Sequence, residues 1–302
     1  MLVVCEIPYA KYLDCGMDMF AEIVVGGWLN RGNSSEQKAT TSGGGMVIRL
    51  QGFDRGVFGG NFHTHNALPL LPGLDVVVHS NGADWVKGWR YAVRQAAAGR
   101  VVMVVDSTDL LNRRHIDSIA RDGAMLVPYP PPDEETAFDV VLQHNVAIGD
   151  TDEDSSCPDD LTIVTYGNGV VAARQTQQLL FQRNGTRIGV LEVPCISQVP
   201  VDLLAGAIAS KSPSQPQPIL FADPCKVQQA PLHYFASELQ DAGVVGVAAQ
   251  RDWSLVAAAH TYNPLGSTVT FLNEADITSA ALRLIEGRDT CREIRHNAAL
   301  HA

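Results

Sequence analysis

The sequence predicts an α/β protein with mostly parallel sheets, and three observations carry that expectation. Short runs rich in β-branched residues alternate with helical stretches along most of the chain. Runs such as Leu2–Ile7 are apolar with little alternation, the pattern of a parallel strand with neighbours on both sides. A chain of 302 residues also has room for two compact domains.

In order, Leu2–Ile7 reads as a strand and Cys15–Leu29 as a helix, followed by a Gly/Ser/Thr-rich loop over Asn30–Gly45. Met46–Leu50 is the next strand. A glycine cluster, Gly56–Gly60, then leads into Asn61-Phe62-His63-Thr64-His65-Asn66, where close backbone approach would let a site form. Leu74–His79, Ala83–Ala98 and Val101–Asp106 make one βαβ unit, with Trp85, Trp89 and Val93 expected to form the apolar helix face. Tyr129-Pro-Pro-Pro-Asp-Glu-Glu cannot continue a helix or central strand, and with the acidic run Asp150–Asp154 it marks a linker. Beyond it, strands are expected at Leu161–Tyr166, Arg187–Val193, Ile219–Ala222, Val244–Ala248 and Thr268–Leu272, with helices such as Val170–Arg183 and Val201–Ala209. The expected division is a first domain over residues 1–125, a linker over 126–158, a second domain over 159–290 with a mostly parallel five-stranded sheet, and a tail over 291–302.

The formal net charge of −11 argues against nucleic acid or an anionic membrane as partner. No apolar run reaches the roughly 18 residues of a membrane span, and the first residues lack the pattern of a secretory signal. The six cysteines, at positions 5, 15, 157, 195, 225 and 291, form no C-x-x-C pair, and free thiols in a reducing compartment are expected. Sequons at Asn33 and Asn184 occur at the frequency chance allows. His63 and His65 lie two apart, the spacing of a metal pair on one strand face, but spacing supplies no third ligand and no metal is expected.

Thr165-Tyr-Gly-Asn-Gly-Val-Val-Ala172 is a G-x-G-x-x-A pattern between a strand and a helix, with Glu192 near the end of the next strand. On spacing alone this is a dinucleotide fingerprint. Any tight strand–helix turn favours glycine, however, and here the turn follows a separate α/β unit halfway along the chain.

Several blocks resemble the β subunits of the pyruvate and branched-chain 2-oxo acid dehydrogenases. They are Glu6-Ile-Pro-Tyr-Ala-Lys-Tyr-Leu13, Met46-Val-Ile-Arg49, Gly59-Gly-Asn-Phe-His63-Thr-His-Asn66, Pro72-Gly-Leu-Asp-Val-Val-Val78 and Asp160-Leu-Thr-Ile-Val-Thr-Tyr-Gly167. Tyr129-Pro-Pro-Pro, Thr165-Tyr-Gly-Asn-Gly and Pro264-Leu-Gly look most like forms in which α and β regions are fused. The blocks keep the family's order from Glu6 to about Ile285.

The resemblance implies a partial transketolase-like pyrimidine-binding domain followed by a transketolase C-terminal-type domain. In the latter the turn at Gly167–Gly169 closes a βα unit and binds no dinucleotide. It implies thiamine diphosphate as cofactor, with Mg2+ held by the α part. The partners would be an E1 α subunit or region, a 2-oxo acid and the lipoyl-bearing acyltransferase (E2). The activity implied is oxidative decarboxylation of a 2-oxo acid with acyl transfer to a lipoyl group, in the cytoplasm or, in a eukaryote, the mitochondrial matrix. A non-catalytic interaction module or an acetoin-dehydrogenase-like enzyme are the alternatives.

His63 matches the family's histidine that helps protonate the lipoyl sulfur, and an imidazole titrates near neutrality. Tyr12 matches the aromatic residue that packs on the aminopyrimidine ring. His79 and Asp106, at strand ends, are expected to be structural, and spacing leaves open whether Lys38 and Arg49 face the cofactor cleft. The family's pyrimidine-binding carboxylate lies upstream of Leu2–Ile7, and its magnesium motif belongs to the α part. The chain is therefore expected to be incomplete and inactive alone. Asp223-Pro-Cys-Lys226 departs from the pattern, with Pro224 at the family's usual glutamate.

Overall fold

The computed structural model describes residues 2–30, 45–52, 71–112, 129–132, 138, 140–144, 159–211, 216–259 and 271–287. The first sheet has four parallel strands, β1 (Val3–Ile7), β2 (Met46–Gly52), β3 (Leu74–Val78) and β4 (Val101–Ser107), in the order β1-β2-β4-β3. After β1 come a 3-10 turn, Ala10–Gly16, and helix α1 (Met17–Asn30). Helix α2 (Gly82–Ala97) crosses from β3 to β4, and the short α3 (Thr108–Asn112) follows β4.

Central β4 is buried along its whole length, as its unbroken Val/Met run requires. The expectation for β1 is corrected. It is an edge strand, and Val3 and Val4 are 41% and 50% exposed, because only β2 pairs with it among the described residues.

Helix α2 is also corrected in detail. Its buried residues are Ala83, Gly88, Ala92 and Ala96, while Trp85 and Trp89 are half-buried and Val93 is exposed. Small residues let the helix axis approach the sheet, and the two tryptophans pack against each other along the helix flank, tilted by 51° with ring centroids 5.5 Å apart. Asn81 caps the helix by accepting from the Asp84 N–H at 3.0 Å.

The second sheet has the order β5-β7-β6-β8-β9, with β5 (Leu142–His144) antiparallel and β6 (Leu161–Thr165), β7 (Ile188–Glu192), β8 (Ile219–Lys226) and β9 (Trp253–Ala258) parallel. Helices α4 (Asn168–Asn184), α5 (Val201–Lys211), α6 (Leu232–Asp241) and α7 (Glu274–Ile285) accompany it. Five strands and the mostly parallel arrangement agree with the sequence reading, but two elements differ. Val244–Ala248 is not a strand: Gly243 and Gly246 take φ of +70° and +85°, turning the chain, and the strand lies further on at β9. Strand β5 was not expected. Of Thr268–Leu272, only Phe271 and Leu272 fall among the described residues.

The two sheets share one continuous core: Val76, Val78 and Met103 of the first belong to the same buried cluster as Val164, Tyr166 and Phe221 of the second.

Candidate functional site

Four parallel strands place their C-terminal ends on one edge, where α/β folds gather functional groups. Three charged residues from three strands meet there. Arg49 of β2 donates from Nη1 to Glu6 Oε1 of β1 at 2.5 Å and from Nε to Asp106 Oδ2 of β4 at 2.6 Å. The Trp85 indole N–H donates to Asp106 Oδ1 at 2.7 Å. Asp106 is fully buried and both its oxygens are taken, while Glu6 is largely exposed. The Glu6 hydrogen bond, then that of Asp106, holds the Arg49 guanidinium above its ordinary pKa. This is a fixed cation in the sheet edge with one carboxylate left facing solvent.

The 3-10 turn after β1 lies at the same edge. Ala10 and Leu13, three apart and therefore on one face, are buried and anchor it. Tyr12 is thereby turned outward. It is 46% exposed, its ring stands edge-on to Tyr9 at 5.6 Å, and its N–H donates to the Tyr9 carbonyl. The described residues thus bring Tyr12 to the strand-end edge that holds Arg49. His63, His65 and Lys38 lie outside the described residues. Among the described residues no group of three or more His, Cys, Asp or Glu is placed to hold a metal.

The glycine turn has a different use. Gly167 sits at φ +50°, and a Cβ there would lie 2.8 Å from Val78 Cγ1 of β3. The first sheet therefore stands where a pyrophosphate would need to approach. Asn168 reaches Asp109 of α3 at 3.4 Å. Glu192, the acid at the ribose-binding spacing, instead accepts from Ser80 at 2.8 Å and pairs with His144 at 2.8 Å. The glycine turn lies in the seam between the two sheets.

That docking continues along β3. Val78 N–H donates to the Pro194 carbonyl at 2.7 Å and Ile196 N–H to the Val76 carbonyl at 3.0 Å, with an antiparallel bridge between Val77 and Cys195. Asp75 holds this edge, accepting two bonds from Arg100 at 2.9 and 2.5 Å, one from Gln198 at 2.9 Å and one from Tyr91 at 3.3 Å. Burial, with the Asp75 charge beside it, pushes the Tyr91 phenol well up.

In the second sheet Asp223 is fully buried and accepts from the Tyr166 hydroxyl at 2.6 Å, the Cys225 N–H at 2.8 Å and the Leu232 N–H at 2.8 Å. Burial pushes its carboxyl up to about 7, against the pull of these donors. A register shift between Asp223 and Lys226 turns the strand there, so Pro224 is accommodated and Asp223 reaches the start of α6.

Sequence reasoning missed the Glu6–Arg49–Asp106 row as a unit. The available signal was a single charged residue in each of three otherwise apolar strand runs.

No protein-family model matches the chain, and no curated protein matches it. Solved structures do share its architecture. A split-gene transketolase described as an inactive β4 tetramer superposes with a TM-score of 0.57 at 14% identity, over 94% of this chain and 75% of that one. Two transketolase variants from Pichia stipitis give 0.55 each. Their identities are 11% and 12%, over 94% and 97% of this chain but 34% and 36% of theirs. The fold is transketolase-like. The chain spans about a third of the length of the Pichia stipitis chains it resembles. Among the described residues no helix is long and apolar enough to cross a membrane.

Proposed function

We propose that this chain is the β-type part of a thiamine-diphosphate-dependent 2-oxo acid dehydrogenase E1 component, the part that receives the cofactor's aminopyrimidine ring. The observation that carries the reading is Tyr12: an aromatic face left exposed at the C-terminal edge of a parallel sheet, in a transketolase-like fold. A ring stacked on Tyr12 would gain what an exposed aromatic offers, apolar area and a defined orientation. Tyr12 offers the ring end of the cofactor an exposed aromatic face. In this reading the diphosphate and Mg2+ are held by an α subunit or region. The cofactor, when bound, supplies a thiazolium carbon that adds to the 2-oxo acid's carbonyl and takes up the electrons left as carbon dioxide departs. Tyr12 orients the ring, Arg49 fixes the strand-end edge beside it, and His63 holds the proton given to the lipoyl sulfur. The domain division at residues 1–125 and 159–290 belongs to the same proposal, as does the lipoyl-bearing acyltransferase as acyl acceptor.

A second reading is favoured by a separate observation. Val3, Val4, Met19 and Ile23 leave apolar surface exposed on β1 and α1, a face suited to another chain, so the protein could serve as a non-catalytic assembly subunit. The two readings separate in one experiment. The full chain is mixed with an E1 α subunit, thiamine diphosphate and Mg2+, and acylation of a lipoyl domain is followed with pyruvate, a branched-chain 2-oxo acid or acetoin. Turnover that falls about 100-fold in His63→Ala supports the catalytic reading. A stable complex without turnover, or turnover indifferent to His63→Ala, supports the assembly reading and overturns the first.

A further inference from the structure

Helix α1 is sorted into three rows of side chains. Phe20 and Val24, four apart, are buried in the core and fix which way the helix faces. One residue back from each, about 100° round the helix, Met19 and Ile23 are 62% and 42% exposed. A further residue back, Asp18 and Glu22 form an exposed row on the side away from the core. A single exposed apolar side chain is ordinary, but two stacked a turn apart make a ridge of the kind that another helix packs against.

The acidic row beside that ridge is left uncompensated. Helix α1 holds no lysine or arginine along its length, and neither Asp18 nor Glu22 meets a cation among the described residues. Asp18 suits the positive start of the helix, whereas Glu22, a turn further on, gains little from it and repels Asp18. The 3-10 turn before α1 adds an exposed carboxylate, Asp14, against one lysine, Lys11.

These charges narrow what can cover the ridge. In a twofold pair of this chain the same face would meet itself, bringing two acidic rows together with no cation from α1 between them. An anionic membrane is repelled for the same reason. A helix whose apolar stripe is bordered by lysines or arginines buries the ridge and neutralises the row at once.

We infer that this flank of α1 receives an amphipathic helix of a different chain, its apolar stripe on Met19 and Ile23 and its lysines or arginines against Asp18 and Glu22. Such a contact rests on the assembly reading and says which kind of chain meets α1; the cofactor plays no part in it.

Fluorescence anisotropy on the full chain tests it with three labelled peptides of about 18 residues, long enough to match α1. One has a leucine stripe bordered by lysines, the second has glutamates in place of the lysines, and the third is the first with its order scrambled. The lysine peptide should bind about tenfold or more tightly than either of the others. Met19→Ser combined with Ile23→Ser, which leaves the charge unchanged, should weaken it about tenfold. Asp18→Lys combined with Glu22→Lys should weaken it as much and make the glutamate peptide the tighter binder. Asp202→Lys combined with Asp241→Lys, an equal change of charge at exposed positions on α5 and α6, should leave the affinity within about twofold. No binding of the lysine peptide, equal binding of the scrambled one, or an equal loss in the two charge-reversed variants would overturn the inference. So would a dimer in light scattering that the Met19→Ser, Ile23→Ser variant dissociates, since a second copy would then hold the face. No α subunit is present in this experiment, so its failure leaves the assembly reading to be decided by complex formation.

Discussion

The first sheet has two edges, and they are treated in opposite ways. At β3 the loop from Pro194 to Gln198 pairs with the strand, and Asp75, Ser80 and Gly167–Val78 close the seam with polar and steric contacts. At β1 the described residues supply no such cover, and Val3 and Val4 face outward beside the apolar surface of α1. Among the described residues one edge is closed by the second sheet and the other is bare, and bare edges invite pairing. The β3 edge makes the molecule one piece. In the proposed reading the β1 edge, which leads into Tyr12, is the one that meets another chain.

Breaking the closed edge should have the largest effect. Asp75→Ala leaves Arg100 half-buried without its carboxylate and frees Gln198, so a loss of about 3 kcal/mol is expected in urea unfolding. Gly167→Ala should cost about 2 kcal/mol in the same measurement, from the positive φ and the collision with Val78. A change within 0.5 kcal/mol in both would show that the seam contributes little to stability.

The open edge should respond in the reverse manner. Val4→Lys should leave stability within about 0.5 kcal/mol while reducing self-association or binding of an α subunit in light scattering. An unchanged assembly state would mean that β1 is not an interface.

The smallest effect separates the two sheets by pH. His79 is held neutral by burial, down at about 3 from an ordinary 6.5, so its contribution to stability is full above pH 6.5 and is lost as pH falls towards 3. Asp223, raised to about 7 from 3.8, contributes stability that is full below pH 3.8 and is lost as pH rises through 7. Between pH 6.5 and 5, His79→Phe should therefore lose less stability than the parent protein, and Asp223→Asn should gain less. Urea midpoints at the two pH values check both signs.

The sequence made most of this fold legible where a run had a single use. Val101–Val105 could only be a central strand, and Asn168–Asn184 ends as a helix at Gly185, whose φ of +75° suits the left-handed cap. It misled where the same letters serve two environments. Leu2–Ile7 reads as buried because apolar branched residues suit an interior strand and an interface edge equally. Val244–Ala248 and Trp253–Ala258 are both apolar runs, and only the paired positive φ values at Gly243 and Gly246 distinguish the turn from the strand. Tyr12 was legible as a candidate through its block, whereas the Glu6–Arg49–Asp106 row needed the strand order β1-β2-β4, which local spacing does not carry.

The most direct test of the two-edge account is hydrogen–deuterium exchange on the full chain, alone and with an E1 α subunit, thiamine diphosphate and Mg2+. The account predicts new protection across Val3–Ile7 and the turn that carries Tyr12, with β3 protected equally in both states. Protection unchanged at β1, or gained at β3 instead, would contradict it.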